Sequence, residues 1–150
     1  MPEYLTRDTV ETVALNSPIQ FLDYIPCNTG NVYHPNGSGI FILKGKTNNC
    51  FARYEIEFTG NIAIPEEGEV TPIATAITIN GESQNGSRSI YTPAAVDEYG
   101  NVTSRATIDV PKCCCLTASV EYVSGVTDGT TVPTPNINVI DGSVSIKRIA

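Results

Sequence analysis

Three consecutive cysteines, Cys113, Cys114 and Cys115, are the most unusual chemistry in the chain, and Cys27 and Cys50 bring the total to five. Five is an odd number, so at least one thiol stays free or bridges two chains. On a strand, Cys113 and Cys115 would share one face and Cys114 would take the other. Zinc prefers four ligands at spacings such as C-x2-C, which three adjacent cysteines on one strand do not supply. Four readings stay open: a disulfide to Cys27 or Cys50, a bridge between subunits, a metal site on a threefold axis, or small buried apolar packing. A chain made in a reducing cytosol starts with every thiol reduced.

His34 is the only histidine, so any Ser-His-Asp or Cys-His arrangement has to use it. It precedes Pro35-Asn36-Gly37-Ser38-Gly39, which reads as a turn, and the expectation is a turn or interface histidine. No G-x-S-x-G nucleophile elbow is present. Gly37-Ser38-Gly39 lacks the Lys-Ser/Thr of a phosphate loop. Glu55 and Glu57 would share a strand face about 7 Å apart, a spacing a glycosidase can use. They alternate with apolar residues, so a solvated face is the expectation. Glu66, Glu67 and Glu69 offer carboxylates to calcium but have no EF-hand spacing. Tyr33, Tyr91 and Tyr99 suit a sugar or a partner chain, because the ring is apolar and the tip polar. The expectation is no catalytic residue, no cofactor and no metal.

The elements that must position these groups read as strands. Residues 52–58 alternate strictly, with Ala52, Tyr54, Ile56 and Phe58 on one face and Arg53, Glu55 and Glu57 on the other. Residues 73–79 alternate and end at Asn80-Gly81, a strong hairpin signal. Residues 103–110 put Ala106, Ile108 and Val110 inward, and residues 116–123 do the same with Leu116, Ala118, Val120 and Tyr122. Residues 39–43 are apolar at successive positions, as in a strand buried on both faces. Pieces near 13–15 and 19–21 flank Ser17-Pro18, and Asp141-Gly142 divides the last apolar stretch as either a hairpin turn or a bend in one path. Residues 65–69, 82–88 and 124–135 read as loops, and 93–99 as a short helical hint. The sum is an all-β, antiparallel sandwich of about eight to ten strands. Residues 1–12, polar and without pattern, are expected to form an N-terminal arm ahead of a domain over 13–150.

Composition narrows the partners. The chain of 150 residues is 41% hydrophobic and only 17% charged, with a net charge of −7. An acidic chain is a poor partner for a phosphate backbone or an anionic membrane. Low charge leaves uncharged surface for subunit contacts. No secretory leader or bilayer-length apolar run is visible, so synthesis in a cytosol is expected.

The order of segments resembles the C1q/TNF-like trimeric jelly roll, and most closely its bacterial and phage branch. The likeness runs from Asn16-Ser17-Pro18-Ile19-Gln20-Phe21, through Val32-Tyr33-His34 and Ile40-Phe41-Ile42-Leu43-Lys44-Gly45, to Ala52-Arg53-Tyr54-Glu55-Ile56-Glu57-Phe58. It continues in Asn61-Ile62-Ala63-Ile64-Pro65 and closes on Val144-Ser145-Ile146-Lys147-Arg148-Ile149, similar to a terminal L-x-I-x-R strand. There is no Gly-X-Y stalk, and the cysteine triplet departs from animal C1q domains. The resemblance implies a homotrimer without catalysis: a virion component of a phage or prophage, as a capsid-decoration or head-fibre protein docked through residues 1–12. The alternative is a head domain on a bacterial cell or spore surface that binds a glycan or receptor.

Overall fold

The computed structural model describes residues 3–7, 10–21, 23–25, 31–34, 38–84, 86–126 and 133–150. They carry twelve strands: β1 (Glu3–Arg7), β2 (Glu11–Val13), β3 (Asp23–Ile25), β4 (Val32–Tyr33), β5 (Ile40–Lys44), β6 (Phe51–Ala63), β7 (Ile73–Ile79), β8 (Glu82–Ser83), β9 (Ser89–Tyr91), β10 (Gly100–Pro111), β11 (Cys115–Ser124) and β12 (Ile137–Arg148). Sheet I has the order β10-β6-β12-β1-β3, with β2 also on β12; sheet II has the order β4-β5-β11-β7-β8, with β9 also on β7. Every pairing is antiparallel. From β5 onward the long strands alternate between sheets, so each corner carries the chain across the core. This is a jelly roll, as the strand alternation predicts.

Period-two patterning places the core. Tyr54, Ile56, Phe58 and Ile62 of β6 and Val139, Val144 and Ile146 of β12 are fully or almost fully buried. They meet Phe41 and Leu43 of β5, Ile73 and Ile77 of β7, and Val120 and Tyr122 of β11 in one cluster. The Phe21 ring stands 5.9 Å from Phe41 and edge-on to Phe58 at 6.2 Å. Aromatic pairs prefer such tilted contacts over face-to-face stacking. Thr75 Oγ1 and Ser104 Oγ, 3.0 Å apart and buried, tie β7 to β10 across the sandwich.

Three local expectations come out differently, and one left open is decided. Strand pairing begins at Glu3, with β1 between β12 and β3 and β2 on β12, so most of the expected arm over 1–12 joins sheet I. Backbone pairing with buried neighbours orders that segment despite its polar sequence. β5 is buried on one face only, since Ile40 is 43% exposed while Phe41 and Leu43 are buried. Asp141-Gly142 is a bend within one continuous strand: the register shifts between Ile140 and Ser143, and Asp141 takes a φ of 53°. Residues 93–99 pass in bends and turns, and no helix occurs among the described residues.

Candidate functional site

The four described cysteines, Cys50 and Cys113–Cys115, lie at one corner of the sandwich. β10 ends at Pro111, and the Cys114 N–H donates to the Pro111 carbonyl at 3.0 Å, closing a turn through Lys112 and Cys113. Cys113 takes the left-handed region, with φ 64°. Gly45, just past β5, fastens the turn: its N–H donates to Cys114 O at 2.8 Å, and its carbonyl accepts from Cys113 N–H at 3.1 Å. A Cβ at Gly45 would lie 2.1 Å from Pro111 O, so only glycine allows this approach. The Lys112 N–H donates to Cys50 O at 2.9 Å, which brings Cys50 beside the same turn. Cys115 opens β11 directly opposite Lys44.

Cys50, Cys113, Cys114 and Cys115 are all free and all exposed. Buried apolar packing is therefore overturned for the triplet, because Pro111 ends the strand and turns Cys113 and Cys114 out of the alternation. Only Cys115 lies on a strand. Among the described residues no group of three His, Cys, Asp or Glu is placed to hold a metal ion. Cys27 lies outside the described residues.

His34 is buried, and Pro35, Asn36 and Gly37 of the turn expected after it lie outside the described residues. Its Nδ1 lies 3.2 Å from Ile40 O and its Nε2 3.2 Å from Phe21 O, with the ring 5.5 Å from Phe41. A ring whose two nitrogens face backbone carbonyls in the core serves packing and strand alignment. Tyr33, its neighbour, is 54% exposed and pairs with Ile42 on the outward face of sheet II. Exposed Ile40 extends that face, next to a shallow depression of about 220 Å³ lined by Pro18, Thr78, Ser119 and Glu121 among others. A short hydrogen bond joins the buried hydroxyls of Thr78 and Ser119 in its floor. Partial burial raises the Glu121 carboxyl above its ordinary pKa.

Tyr91 and Tyr99 come together at the opposite lateral edge. The Tyr91 ring fills the space where a Cβ of Gly100 would sit, and its hydroxyl donates to Glu98 O at 3.1 Å. Tyr99 and Ile90 beside it are exposed. Thr103 N–H donates to Ser89 Oγ at 3.3 Å, so this edge joins β10 of sheet I to β9 of sheet II.

The outward face of sheet I is polar. Arg53 grips Asp109 with Nε–Oδ1 at 2.7 Å and Nη2–Oδ2 at 3.1 Å, and its hydrogen bonds, helped by its charge, hold the Asp109 carboxyl below the usual range. Arg105 donates to Glu55 at 2.6 Å and sits opposite Glu57 in the β10–β6 register. Lys147 pairs with Glu55 from β12. The two glutamates thus form part of a cross-strand charge ladder on an open sheet face, as their alternation predicts. Further along, the face turns uncharged, with Thr59 opposite both Thr103 and Ser143, and Asn61 opposite Asn101. The acidic turn over 65–69 is exposed at Glu66, Glu67 and Glu69.

No family model matches the chain, and no curated protein matches it by sequence. Solved structures do. The globular domain of zebrafish complement 1qA is similar with a TM-score of 0.65 and 11% identity, over 99% of this chain and 97% of that one. Eiger TNF from S. frugiperda gives a TM-score of 0.67 at 8% identity, over 100% of this chain and 92% of that one. Murine APRIL gives 0.57 at 8% identity, over 98% and 99%. The chain has the C1q/TNF-like jelly-roll fold, end to end.

Proposed function

We propose that the protein is a non-enzymatic homotrimer that serves as a structural component of a phage or prophage virion, as a decoration or head-fibre subunit. The observation that carries the reading is the full-length likeness to C1q and TNF domains, with neither chain leaving a large part unmatched. The surface supports it. A ring of subunits needs two different patches that meet head to tail. One candidate is the edge with Ile90 and Tyr99; the other is the uncharged part of the sheet I face around Thr59, Asn61, Thr103 and Ser143. Aromatic groups and few desolvated charges suit such a contact.

The absence of catalysis is supported by what the polar groups already do. His34 is buried with its ring nitrogens 3.2 Å from two backbone carbonyls, and Glu55 is paired with Arg105. The virion setting rests on the sequence resemblance to the phage and bacterial branch. Strand pairing from Glu3 makes the first residues part of the sandwich, so docking to a shell is assigned to exposed loops rather than to a free arm.

Mass measurement in solution at micromolar concentration, with and without reductant, tests the assembly. A species of three chains in both conditions is expected; a monomer would overturn the proposal. Co-purification with particles separates the virion role from a bacterial surface role, which predicts recovery with the cell envelope.

A further inference from the structure

We infer that the Cys113–Cys114 turn, with Cys50 and Cys115 beside it, is a thiol–disulfide exchange site for an anionic disulfide of the glutathione type. Free cysteines are among the residues most often found buried. Here four of them are free and exposed at one corner, drawn from two separate stretches of chain. Backbone bonds fix them there: Lys112 N–H to Cys50 O, Cys113 N–H to Gly45 O, and Gly45 N–H to Cys114 O. A cysteine also stands at φ 64°, where glycine is the ordinary choice.

The charge around the corner selects the partner. The chain has a net charge of −7, yet three of its four lysines, Lys44, Lys46 and Lys112, flank these thiols. Lys44 is the register partner of Cys115, and directly opposed side chains share a face with Cβ atoms about 5 Å apart. Lys112 and Lys46 are exposed. Asp109, the acidic residue on β10 closest in sequence to the turn, is engaged by Arg53. A second copy of the same corner would bring lysines against lysines, so self-linkage is disfavoured and a negatively charged disulfide is drawn in. Metal capture is not supported, since no set of three donors converges among the described residues.

The exchange step needs no further oxidant. A corner thiol loses its proton to solvent, and the thiolate sulfur attacks one sulfur of the incoming disulfide. A new protein–ligand S–S bond forms, the original S–S bond breaks, and its other half leaves as a thiolate. The product is a mixed disulfide, reversible by excess thiol. This inference is independent of the number of subunits and adds a covalent attachment point to the structural role.

Native, fully reduced protein is treated at pH 8 with either glutathione disulfide, which is anionic, or cystamine, which is cationic. Intact-mass spectrometry follows adducts, with rates referenced to those of a neutral thiol. At low salt the referenced rate for glutathione disulfide is expected to exceed that for cystamine by about five-fold or more. That preference should shrink to within about two-fold at 1 M salt, where screening acts over roughly 3 Å. The combined variant Lys44→Gln, Lys46→Gln, Lys112→Gln, checked by its thermal unfolding, should lose the preference while still reacting. Cys113→Gly with Cys50→Ser, Cys114→Ser and Cys115→Ser should remove the rapid adducts. Thiols that react only on unfolding would overturn the inference. So would a cystamine rate equal to or above that of glutathione disulfide, or disulfide-linked dimers forming ahead of the adduct.

Discussion

Cys113 stands where an L side chain crowds its own carbonyl, at φ 64°. That conformation costs roughly 1–2 kcal/mol for a residue with a Cβ and little for glycine. Cys113→Gly is therefore expected to stabilise the fold by about 1 kcal/mol, read as a higher denaturant midpoint at unchanged slope. No decline in stability is expected, because the thiol is exposed and supports no core contact. Tyr122 shows the opposite case. Its ring is buried, its hydroxyl donates to Pro135 O at 2.7 Å, and burial pushes its pKa from 10 up to about 12. The folded state then holds a proton that the unfolded chain gives up, so its contribution is full below pH 10 and is lost as pH climbs towards 12. Tyr54, also raised by burial, acts in the same sense. Tyr122→Phe should cost about 1 kcal/mol at pH 7 and flatten part of the alkaline decline in melting temperature. At this scale the sequence was least legible. Alternation assigned inward Tyr122 correctly, but cysteine has no single preference between core and turn, and nothing in the sequence around His34 marked its ring as buried, because the contacts that bury it come from distant segments.

The elements were the most legible part, and their exceptions have physical causes. β6, β7, β10 and β11 appear where alternation puts them, because each has one wet face and one dry face. β1 escapes such reading, since its place between β12 and β3 is settled by neighbours distant in sequence. Asp141-Gly142 fits both a hairpin and a bend, because Asp tolerates left-handed φ and glycine tolerates close approach. The Phe58 ring decides for the bend, lying 3.3 Å from where a Cβ of Gly142 would be. Glycines at element ends give a sharp test of this logic. Gly81 forms the two-residue turn between β7 and β8, with φ 86° and open space around its missing Cβ. Gly81→Ala should cost only about 1 kcal/mol, the conformational term alone. A Cβ at Gly45 would instead meet backbone oxygen at 2.1 Å, which cannot rotate away. Gly45→Ala should cost about 3 kcal/mol or more and loosen the β5 and β10 ends together, visible as faster hydrogen exchange at Cys113 and Gly45. Equal melting temperatures for the two variants would refute the account of the corner.

For the whole molecule, the fold separates two kinds of surface. One end concentrates lysines and thiols; the long face of sheet I carries a charge ladder that fades into threonine, serine and asparagine. A face of that composition is a poor partner for itself, because symmetric contact would oppose equal charges along the ladder. It suits an edge with few charges, and the β9–β10 edge offers exposed Ile90 and Tyr99. Edge-on-face contact is heterologous, so it needs rotation to close, and in the proposed trimer three copies would close it. Ile90→Asp together with Tyr99→Asp should therefore split the proposed trimer into monomers. The fold itself should persist, since both side chains are exposed and the change raises solubility. The check is solution mass alongside thermal unfolding: a monomer with a cooperative melt is expected. An unchanged mass would move the contact to the outward face of sheet II, where Tyr33 and Ile40 are the exposed anchors, and Tyr33→Asp with Ile40→Asp would then be the pair that dissociates it.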